Sequence, residues 1–527
     1  MSVKQIVMAA AGLGGAAEAT YIEDVFSTYL YTGNGSTQTI TNGIDLAGEG
    51  GMVWTKYRTG SSAPGGNHVL IDSARGITGT PCLFSDLNFA AGGNSNYITS
   101  LNSDGYTLGT AGLVNYLSNT LASWTFRKAE KFFDVVTYTG NGANRTISHN
   151  LGSVPGCIIV KRTDTTGDWQ VYHRANTAAP ETDYLVLNTT AATADSNTRW
   201  NDTLPTDSVF SLGTEATVNA NGGTYVAYLF AHDAGGFGDD GSENVISCGS
   251  FTTDGSGYAS VNLGYEPQWV LVKRTDSTGN WNLNDNMRGM PVDGNGARLF
   301  PNLSNAESVG IYNVQPNATG FSVPVGFFGA SNTCIYIAIR RGPMKTPTSG
   351  TEVFSPQFQG SGTTATSPTF NAGFVTDMLL RDTRGGGSPS YPALGDRLRG
   401  ASPFLTTSST AAETASTTFK YDSMTGFYNP SGSATTDIIG WMFQRAPGFF
   451  DVVCYTGNAS YPRNINHNLG KSPEMVIIKA RSSATYGWGV HHKDLGFSVI
   501  SYLENTIGTA SQPYFLNAVS DTTFTLG

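Results

Sequence analysis

The chain has 527 residues, a formal net charge of -10 and only 13% charged residues, and it contains 64 glycines. The acidic balance and the lack of any block of basic residues argue against a polyanion-binding surface, so we expect no nucleic acid partner. Low charge with many Gly, Thr, Asn and aromatic residues favours short strands and tight turns over helices, and 39% hydrophobic residues exclude a disordered chain.

The first segment, residues 1–26, differs in composition from the rest of the chain. It begins with an Ala- and Gly-rich stretch whose apolar run is too short and too interrupted for a signal peptide or a membrane span. No other stretch approaches the length of a membrane span either. We expect this segment to be an anchor that docks onto another protein.

An apolar run that ends in a basic residue occurs five times, and successive copies lie about 100 residues apart. This spacing identifies an internal-repeat protein. The copies are Met52 to Lys56, Cys157 to Lys161, Trp269 to Lys273, Met378 to Arg381 and Met475 to Lys479.

Each repeat opens with an aromatic residue and a Gly-rich turn, and the first four close with a second apolar run, which alternates in several of them. Asn-Gly and Asp-Gly turns between such runs are strong hairpin signals, and the repeat length suits a β-sandwich. We therefore predict an all-β tandem array of about five β-sandwich-like domains after the anchor. Their bounds are 27–130 (domain 1), 131–233 (domain 2), 234–345 (domain 3), 346–447 (domain 4) and 448–527 (domain 5).

A second level of order links distant domains. Domain 1 resembles domain 4 and domain 2 resembles domain 5: Trp124 to Trp441 and Tyr138 to Tyr455 are both separations of 317 residues. The last residues, Phe524 to Gly527, match Phe210 to Gly213, which precede the closing apolar run of domain 2. We expect domain 5 to lack its closing strand and the polypeptide to continue.

The recurring polar residues are better explained by structure than by chemistry. His149 and His467 precede an Asn-Leu-Gly turn, and no carboxylate lies at ligand spacing from either, so we expect turn caps and no metal site. Asp164 and Asp276 lack the acidic ladder of a calcium loop and are expected to stabilise turns. The five cysteines lie far apart and are expected to be free thiols.

Three recurring tryptophans are the candidate binding residues. Aromatic side chains on loops can stack on sugar rings, so Trp169, Trp281 and Trp488 are candidate surface-glycan contacts, with burial in the core as the alternative. The sequence contains no Gly-x-Ser-x-Gly, P-loop or His-Glu-x-x-His motif. We expect no catalytic residues and no cofactor, and hence no enzyme.

The stretch from Phe132 to Arg174 resembles a repeat found in virion proteins of tailed phages, especially phages of marine cyanobacteria. It contains Phe-Phe-Asp-Val-Val-Thr-Tyr-Thr-Gly-Asn-Gly, then His-Asn-Leu-Gly, then Ile-Ile-Val-Lys-Arg-Thr-Asp. The partner repeat of that family resembles Gly51 to Lys56 and Asp104 to Gly109. The likeness covers most of residues 27–527 and implies no catalytic residues.

This resemblance implies a virion structural protein, made in the host cytoplasm and located in the tail. We expect a tail fibre or tail-associated adhesin that docks to other tail proteins through its N-terminal segment and binds a host surface polysaccharide or protein. Fibres of this kind are commonly homotrimers. The alternatives are a glycan-depolymerising tailspike-like enzyme and a capsid or neck decoration protein without a receptor role.

Overall fold

The structure is a computed structural model that describes residues 19–59, 66–79, 81–93, 95–360, 368–384, 392–401, 403–415, 420–428 and 437–527. Its regular structure is almost entirely antiparallel β-sheet, which confirms the predicted fold class. Two single-turn helices, α1 (Gly112–Asn115) and α2 (Ala216–Asn219), occupy the same place in domains 1 and 2. Most of the N-terminal anchor predicted for residues 1–26 lies outside the described residues.

The strands of domains 1 and 2 follow the same order along the chain. Domain 1 contains β1 (Phe26–Thr32), β2 (Gln38–Thr41), β3 (Gly51–Tyr57), β4 (Val69–Asp72), β5 (Leu83–Phe84), β6 (Ile98–Asn102), β7 (Gly105–Leu108) and β8 (Thr120–Arg127). Domain 2 contains β9 (Phe133–Thr139), β10 (Arg145–Ser148), β11 (Cys157–Arg162), β12 (Gln170–His173), β13 (Asp183–Val186), β14 (Ala194–Asp195), β15 (Val209–Leu212) and β16 (Thr224–Phe230).

Domains 3 to 5 repeat this order with small changes. Domain 3 contains β17 (Ile246–Thr252), β18 (Ala259–Asn262), β19 (Pro267–Arg274), β20 (Asn282–Asp285), β21 (Gly296–Arg298), β22 (Ser308–Gly310), β23 (Gln315–Asn317), β24 (Gly320–Val323) and β25 (Thr333–Arg340). Domain 4 contains β26 (Phe354–Gln359), β27 (Phe370–Asn371), β28 (Met378–Arg384), β29 (Ala393–Asp396), β30 (Pro403–Thr406), β31 (Thr414–Ala415), β32 (Gly426–Phe427) and β33 (Asp437–Phe443). Domain 5 contains β34 (Arg463–Asn466), β35 (Met475–Ile478), β36 (Gly489–His492), β37 (Val499–Tyr502), β38 (Ala510–Ser511), β39 (Leu516–Val519) and β40 (Thr523–Leu526).

The large sheet of domains 1 to 4 has one topology. The closing strand (β8, β16, β25 or β33) lies between the opening strand (β1, β9, β17 or β26) and the third strand (β3, β11, β19 or β28), antiparallel to both. A small second sheet, such as β2-β7-β6 in domain 1, covers one face. Apolar side chains of both sheets, among them Val53, Tyr106 and Leu108, fill the space between them. Each domain is thus a small β-sandwich.

Domain 5 differs at one place in its large sheet. The sheet contains β35-β36-β37-β38, and no closing strand occurs in the described part of the chain. Residues 451–458 match the opening strand β9 closely but form no strand. In domain 2 the only neighbour of β9 in the large sheet is the closing strand β16. Without that neighbour, the opening segment has no ladder to join.

One backbone hydrogen bond recurs at four domain junctions. In each, the residue two positions after the lysine of the third strand accepts a hydrogen bond from an N–H group in a loop of another domain. The N–H···O pairs are Glu307 to Arg58 (3.0 Å), Ala91 to Thr163 (2.9 Å), Thr193 to Thr275 (3.0 Å) and Glu413 to Arg481 (2.7 Å). In the same order, these bonds join domain 1 to domain 3, domain 2 to domain 1, domain 3 to domain 2, and domain 5 to domain 4. Domains 1, 2 and 3 therefore form a closed ring.

The centre of this ring is a single hydrophobic core that all three domains share. Phe126 of the closing strand β8 is fully buried there. Its ring lies 5.7 Å from that of Phe230 in domain 2 and 5.9 Å from that of Trp269 in domain 3, both edge-to-face. Because such contacts join three chain segments far apart in sequence, the ring is stabilised by the same burial that stabilises a single domain.

We predict that Phe126→Ala lowers the free energy of unfolding by about 3–5 kcal/mol, since a buried phenyl ring is lost and a cavity remains at the meeting point of three domains. Phe443 of β33 occupies the equivalent position in domain 4 but is only partly buried. Phe443→Ala should therefore lower the free energy of unfolding by clearly less than Phe126→Ala does. Urea denaturation followed by tryptophan fluorescence measures both, and equal losses would contradict the shared core.

Candidate functional site

The three candidate tryptophans lie in domain junctions and not on the surface. Trp169, Trp281 and Trp488 are all at least 96% buried. Each indole N–H donates to a backbone carbonyl of the preceding domain: Trp169 to Phe84 (2.9 Å), Trp281 to Val186 (3.0 Å) and Trp488 to Thr406 (3.0 Å). A buried indole has no face open to a sugar ring. The prediction of surface-glycan contacts at these residues is therefore wrong, and the alternative of burial is correct.

His68 occupies the same position in domain 1, which the sequence comparison missed. The backbone N–H group at this position bonds a side-chain oxygen in every case: Asp86 for His68, Asn188 for Trp169, Asn302 for Trp281 and Glu504 for Trp488. His68 lies next to the backbone of Phe300 in domain 3. Phe300 takes the place that Phe84 takes beside Trp169 and that Val186 takes beside Trp281. Within the described residues its Nε2 has no hydrogen-bond partner. The junction of domains 1 and 3 thus has the same arrangement as the junctions of domains 1 and 2 and of domains 2 and 3, with an imidazole in place of an indole.

The lysines at the end of the third strands also belong to the junctions. Lys56 Nζ donates to the Ser304 carbonyl of domain 3 (3.0 Å), and Lys273 Nζ donates to the Thr190 carbonyl of domain 2 (3.2 Å). Burial lowers the pKa of Lys56, Lys161 and Lys273 to about 8. Lys56 and Lys273 therefore join domains of the ring, whereas Lys161 Nζ donates to the Arg162 carbonyl of its own domain, and all three side chains are fully buried.

An exposed apolar patch lies at one end of domain 3. We call the residues Tyr258, Ile311, Tyr312 and Val325, all exposed, the domain 3 patch. A Cβ atom built on Gly326 would lie 3.2 Å from the Tyr312 ring, and one built on Gly257 would lie 3.3 Å from the Gly326 nitrogen. The loops that carry the four side chains are therefore in contact. Exposed apolar side chains carried on neighbouring loops are candidates for an interaction surface.

A polar cavity of about 310 Å³ lies beside Tyr21, between domain 3 and the start of domain 5. Its carboxylates already have partners. The Tyr21 hydroxyl donates to Asp239 (2.5 Å), and this bond raises the pKa of Tyr21 to about 12. Glu243 pairs with Arg340, and Glu266 makes a two-point contact with Arg445. Side chains of the protein itself therefore hold these carboxylates in place.

The comparisons with known proteins assign a family to the chain. A family model described as "Domain of unknown function (DUF7483)" matches residues 22–343 and 352–527. The chain belongs to this family. The match includes the three-domain ring and domains 4 and 5. Searches of the curated proteins and of the solved structures returned no match.

The recurring histidines of this family member are structural. Nδ1 of His149 accepts the N–H of Leu151 (3.3 Å), and Nδ1 of His467 accepts the N–H of Leu469 (3.2 Å), which confirms the predicted turn caps. Within the described ranges, no group of three or more His, Cys, Asp and Glu side chains could hold a metal ion. No helix in these ranges has the length and apolar character needed to cross a bilayer.

The two candidate calcium-loop aspartates bind the closing strand of their own domain. Asp164 accepts the N–H of Thr224 (3.2 Å) and Asp276 that of Thr333 (3.0 Å), and each pairs with the arginine two residues before it. The hydrogen bond from Arg162 lowers the pKa of Asp164. The two aspartates are structural, but the backbone that they hold belongs to the distant closing strand and not to the local turn that the sequence predicted.

His173 makes the junction of domains 2 and 3 sensitive to pH. Its Nδ1 accepts the N–H of Ala175, so Nε2 carries the proton and donates to the Tyr336 carbonyl of domain 3 (3.0 Å). Burial, together with the nearby His232 and Arg174, lowers the pKa of His173 to about 3. The unfolded chain takes up a proton below about pH 6.5 that the folded protein does not bind, so the free energy of unfolding falls between pH 6.5 and 3.

We predict that the free energy of unfolding falls more steeply below pH 6.5 in the wild type than in His173→Gln. Glutamine can donate to the Tyr336 carbonyl but does not titrate, so at pH 5 the difference should reach about 2 kcal/mol. Urea denaturation at pH 7, 6 and 5 measures it. His492→Gln, which replaces a partly exposed histidine outside this junction, is the control for the substitution itself. Parallel pH profiles for all three proteins would contradict the prediction.

Proposed function

We propose that this protein is a structural component of a tailed-phage virion, a tail fibre or tail-associated adhesin that attaches to the host surface. The observation that supports this proposal is the closed ring of β-sandwich domains, in which tryptophans, lysines and histidines are buried in domain junctions. Such a ring forms a rigid support. It holds the domain 3 patch in the open, as an adhesin requires.

The chemistry of the described residues favours binding over catalysis. The carboxylates of the polar cavity are paired, and the recurring histidines cap turns or join domains. The domain 3 patch, in contrast, combines two exposed tyrosines with aliphatic side chains. Tyrosine is enriched where one protein recognises another surface, because its ring packs and its hydroxyl group bonds. We therefore propose a host surface polysaccharide or protein as the ligand of this patch.

Repetition of domains suits an adhesin. Several weak contacts on one particle combine into strong attachment when the domains that carry them are held together. In this proposal the N-terminal segment docks to other tail proteins, and three copies assemble as a fibre. The glycan-depolymerising enzyme and the decoration protein without a receptor role remain the alternatives, and the assay below separates them from an adhesin.

We predict that the fluorescently labelled 527-residue protein binds saturably to particular strains in a panel of candidate host cells. Replacing Tyr258 and Tyr312 together with alanine should weaken that binding at least about tenfold, because exposed aromatic anchors supply most of the energy of such interfaces. Flow cytometry over a range of protein concentrations gives the affinity. A variant with alanine at Tyr486 and Tyr514, two exposed tyrosines of domain 5, is the matched control and should bind normally.

Two results would contradict the adhesin, and a third would contradict only the placement of its contact in the domain 3 patch. Binding to no strain would favour a decoration protein. Equal binding by both double variants would place the contact outside the domain 3 patch. New reducing ends released from host polysaccharide by the protein would favour the enzyme.

A further inference from the structure

One arginine of domain 3 has no acidic partner. The domain contains five arginines. Four of them pair with a carboxylate: Arg274 with Asp276, Arg288 with Asp285, Arg340 with Glu243, and Arg341 with Glu266. The fifth, Arg298 at the end of β21, forms no ion pair within the described part of the chain, and its buried Nε has no hydrogen-bond partner there. Burying part of a guanidinium without an acidic partner costs free energy, and an anionic ligand would offset that cost.

Arg298 lies beside the domain 3 patch. Its guanidinium carbon is 5.5 Å from the centre of the Phe327 ring and 5.4 Å from that of Phe300, so two aromatic rings attract it. Phe327 follows Gly326, whose Cβ position lies 3.2 Å from the Tyr312 ring. Burial lowers the pKa of Arg298, and the nearby Tyr312 opposes this shift. Because the side chain of Arg298 is only partly buried, a ligand on the patch can reach the guanidinium.

The charge at this position is peculiar to domain 3. Strand β21 aligns with β5, β13 and β30 through a leucine that pairs with the preceding strand in each domain. The residue before that leucine is Arg298 in domain 3, but Cys82, Tyr184 and Phe404 in domains 1, 2 and 4. Three sister domains thus form the same strand with an uncharged residue. The arginine is therefore better explained by a ligand than by the fold.

We propose that Arg298 and the domain 3 patch form a binding site for one acidic sugar residue of a host surface polysaccharide. This inference rests on the adhesin function proposed above and names the class of its ligand. The guanidinium donates two parallel N–H bonds to the sugar carboxylate. The C–H face of the sugar ring packs on the exposed ring of Tyr312. A sugar acid holds its carboxylate on the ring itself, so one residue reaches both groups at once.

The charge of the whole protein limits the kind of polysaccharide. A chain with a net charge of -10 repels a dense polyanion, and the site offers a single cation without an acidic partner. A polysaccharide with one carboxylate in each repeating unit meets both conditions. This ligand is therefore compatible with the absence of any block of basic residues.

The first test is binding of small acidic sugars to the full 527-residue protein, followed by saturation-transfer NMR. The probes are the methyl glycosides of glucuronic, galacturonic, mannuronic and N-acetylneuraminic acids, each compared with its methyl ester, which keeps the ring and removes the charge. At least one acid should bind saturably, and its ester should bind at least about tenfold more weakly, because a charge-assisted hydrogen bond is lost. Binding of none of the four acids, or equal binding of an acid and its ester, would overturn the proposal.

Variants of the arginine distinguish a direct contact from a general disturbance of domain 3. Arg298→Gln should weaken binding of the acid at least about tenfold and leave the affinity for its ester unchanged. Arg298→Lys keeps the charge without the two-point geometry, so it should weaken binding less. Arg463→Gln is the matched control and should bind normally, since Arg463 lies 5.9 Å from the Tyr455 ring in domain 5. Undiminished binding of the acid by Arg298→Gln would contradict the proposed contact.

Cell binding separates this inference from the adhesin function. The acid that binds should compete with the labelled protein for host cells, and Arg298→Gln should reduce cell binding about tenfold. Saturable cell binding that neither change reduces would leave the adhesin standing and overturn the acidic sugar. Sugar binding without binding to any cell would overturn the adhesin and retain the sugar site. Loss of cell binding after protease treatment of the cells, with no competition by any acid, would identify a protein ligand and overturn the proposal.

Discussion

The burial of the outer faces of three β-sheets against one another is the constraint on which the rest of the structure depends. A sandwich buries one face of its large sheet inside the domain, but the outer face here also carries large apolar side chains, such as Trp124 and Phe126 of β8. Left in water, this second face would cost about 25 cal/mol for each Å² of apolar surface. The ring covers three such faces at once, and so no single domain of the three is complete without the other two.

Covering these faces also buries polar groups, and the chain supplies a partner for many of them. A repeated Asp-x-x-Arg turn shows how. In three domains the arginine bonds back to the aspartate through its own N–H and its Nε, at Asp72 and Arg75, Asp285 and Arg288, and Asp396 and Arg399. Two of these aspartates accept a further bond from a neighbouring domain, Asp72 from the Tyr228 hydroxyl and Asp285 from Trp124 Nε1. Paired in this way, a buried carboxylate joins domains instead of opposing their contact.

The sequence was sufficient to predict strands and repeats, because alternation and turn chemistry are local. It could not predict what covers a face, since that depends on another domain. The sequence places Trp169 beside a strand and leaves both sugar contact and burial open, and the contact with the Phe84 carbonyl of domain 1 decides for burial. His68 was missed because the loop before it is longer than in the other domains, which hides the match to Trp169. The apolar run before Arg381 aligns this residue with the lysines, yet the register of β28 places Asp382 at that position.

In domain 5 the local sequence is not enough to predict whether a segment forms a strand. Residues 449–458 repeat the sequence of residues 132–141 almost unchanged, but only the earlier copy is a strand. A strand is stable through its hydrogen-bonded neighbour and not through its own propensity. The nearly identical sequence is thus a strand in domain 2, where β16 lies beside it, and forms no strand in domain 5, where the described residues include no closing strand.

The separation of 317 residues between the two similar pairs of domains has a physical explanation in the junctions. Domain 5 contacts domain 4 as domain 2 contacts domain 1: Trp488 bonds the Thr406 carbonyl as Trp169 bonds that of Phe84, and the Glu413 N–H bonds the Arg481 carbonyl. Each junction is encoded by residues of both partners. A single domain copied elsewhere would keep only half of its junction and expose the rest, whereas a copied pair keeps one junction intact. Selection on buried junctions would therefore make the pair of domains 1 and 2 resemble the pair of domains 4 and 5 more than it would make all five domains resemble one another.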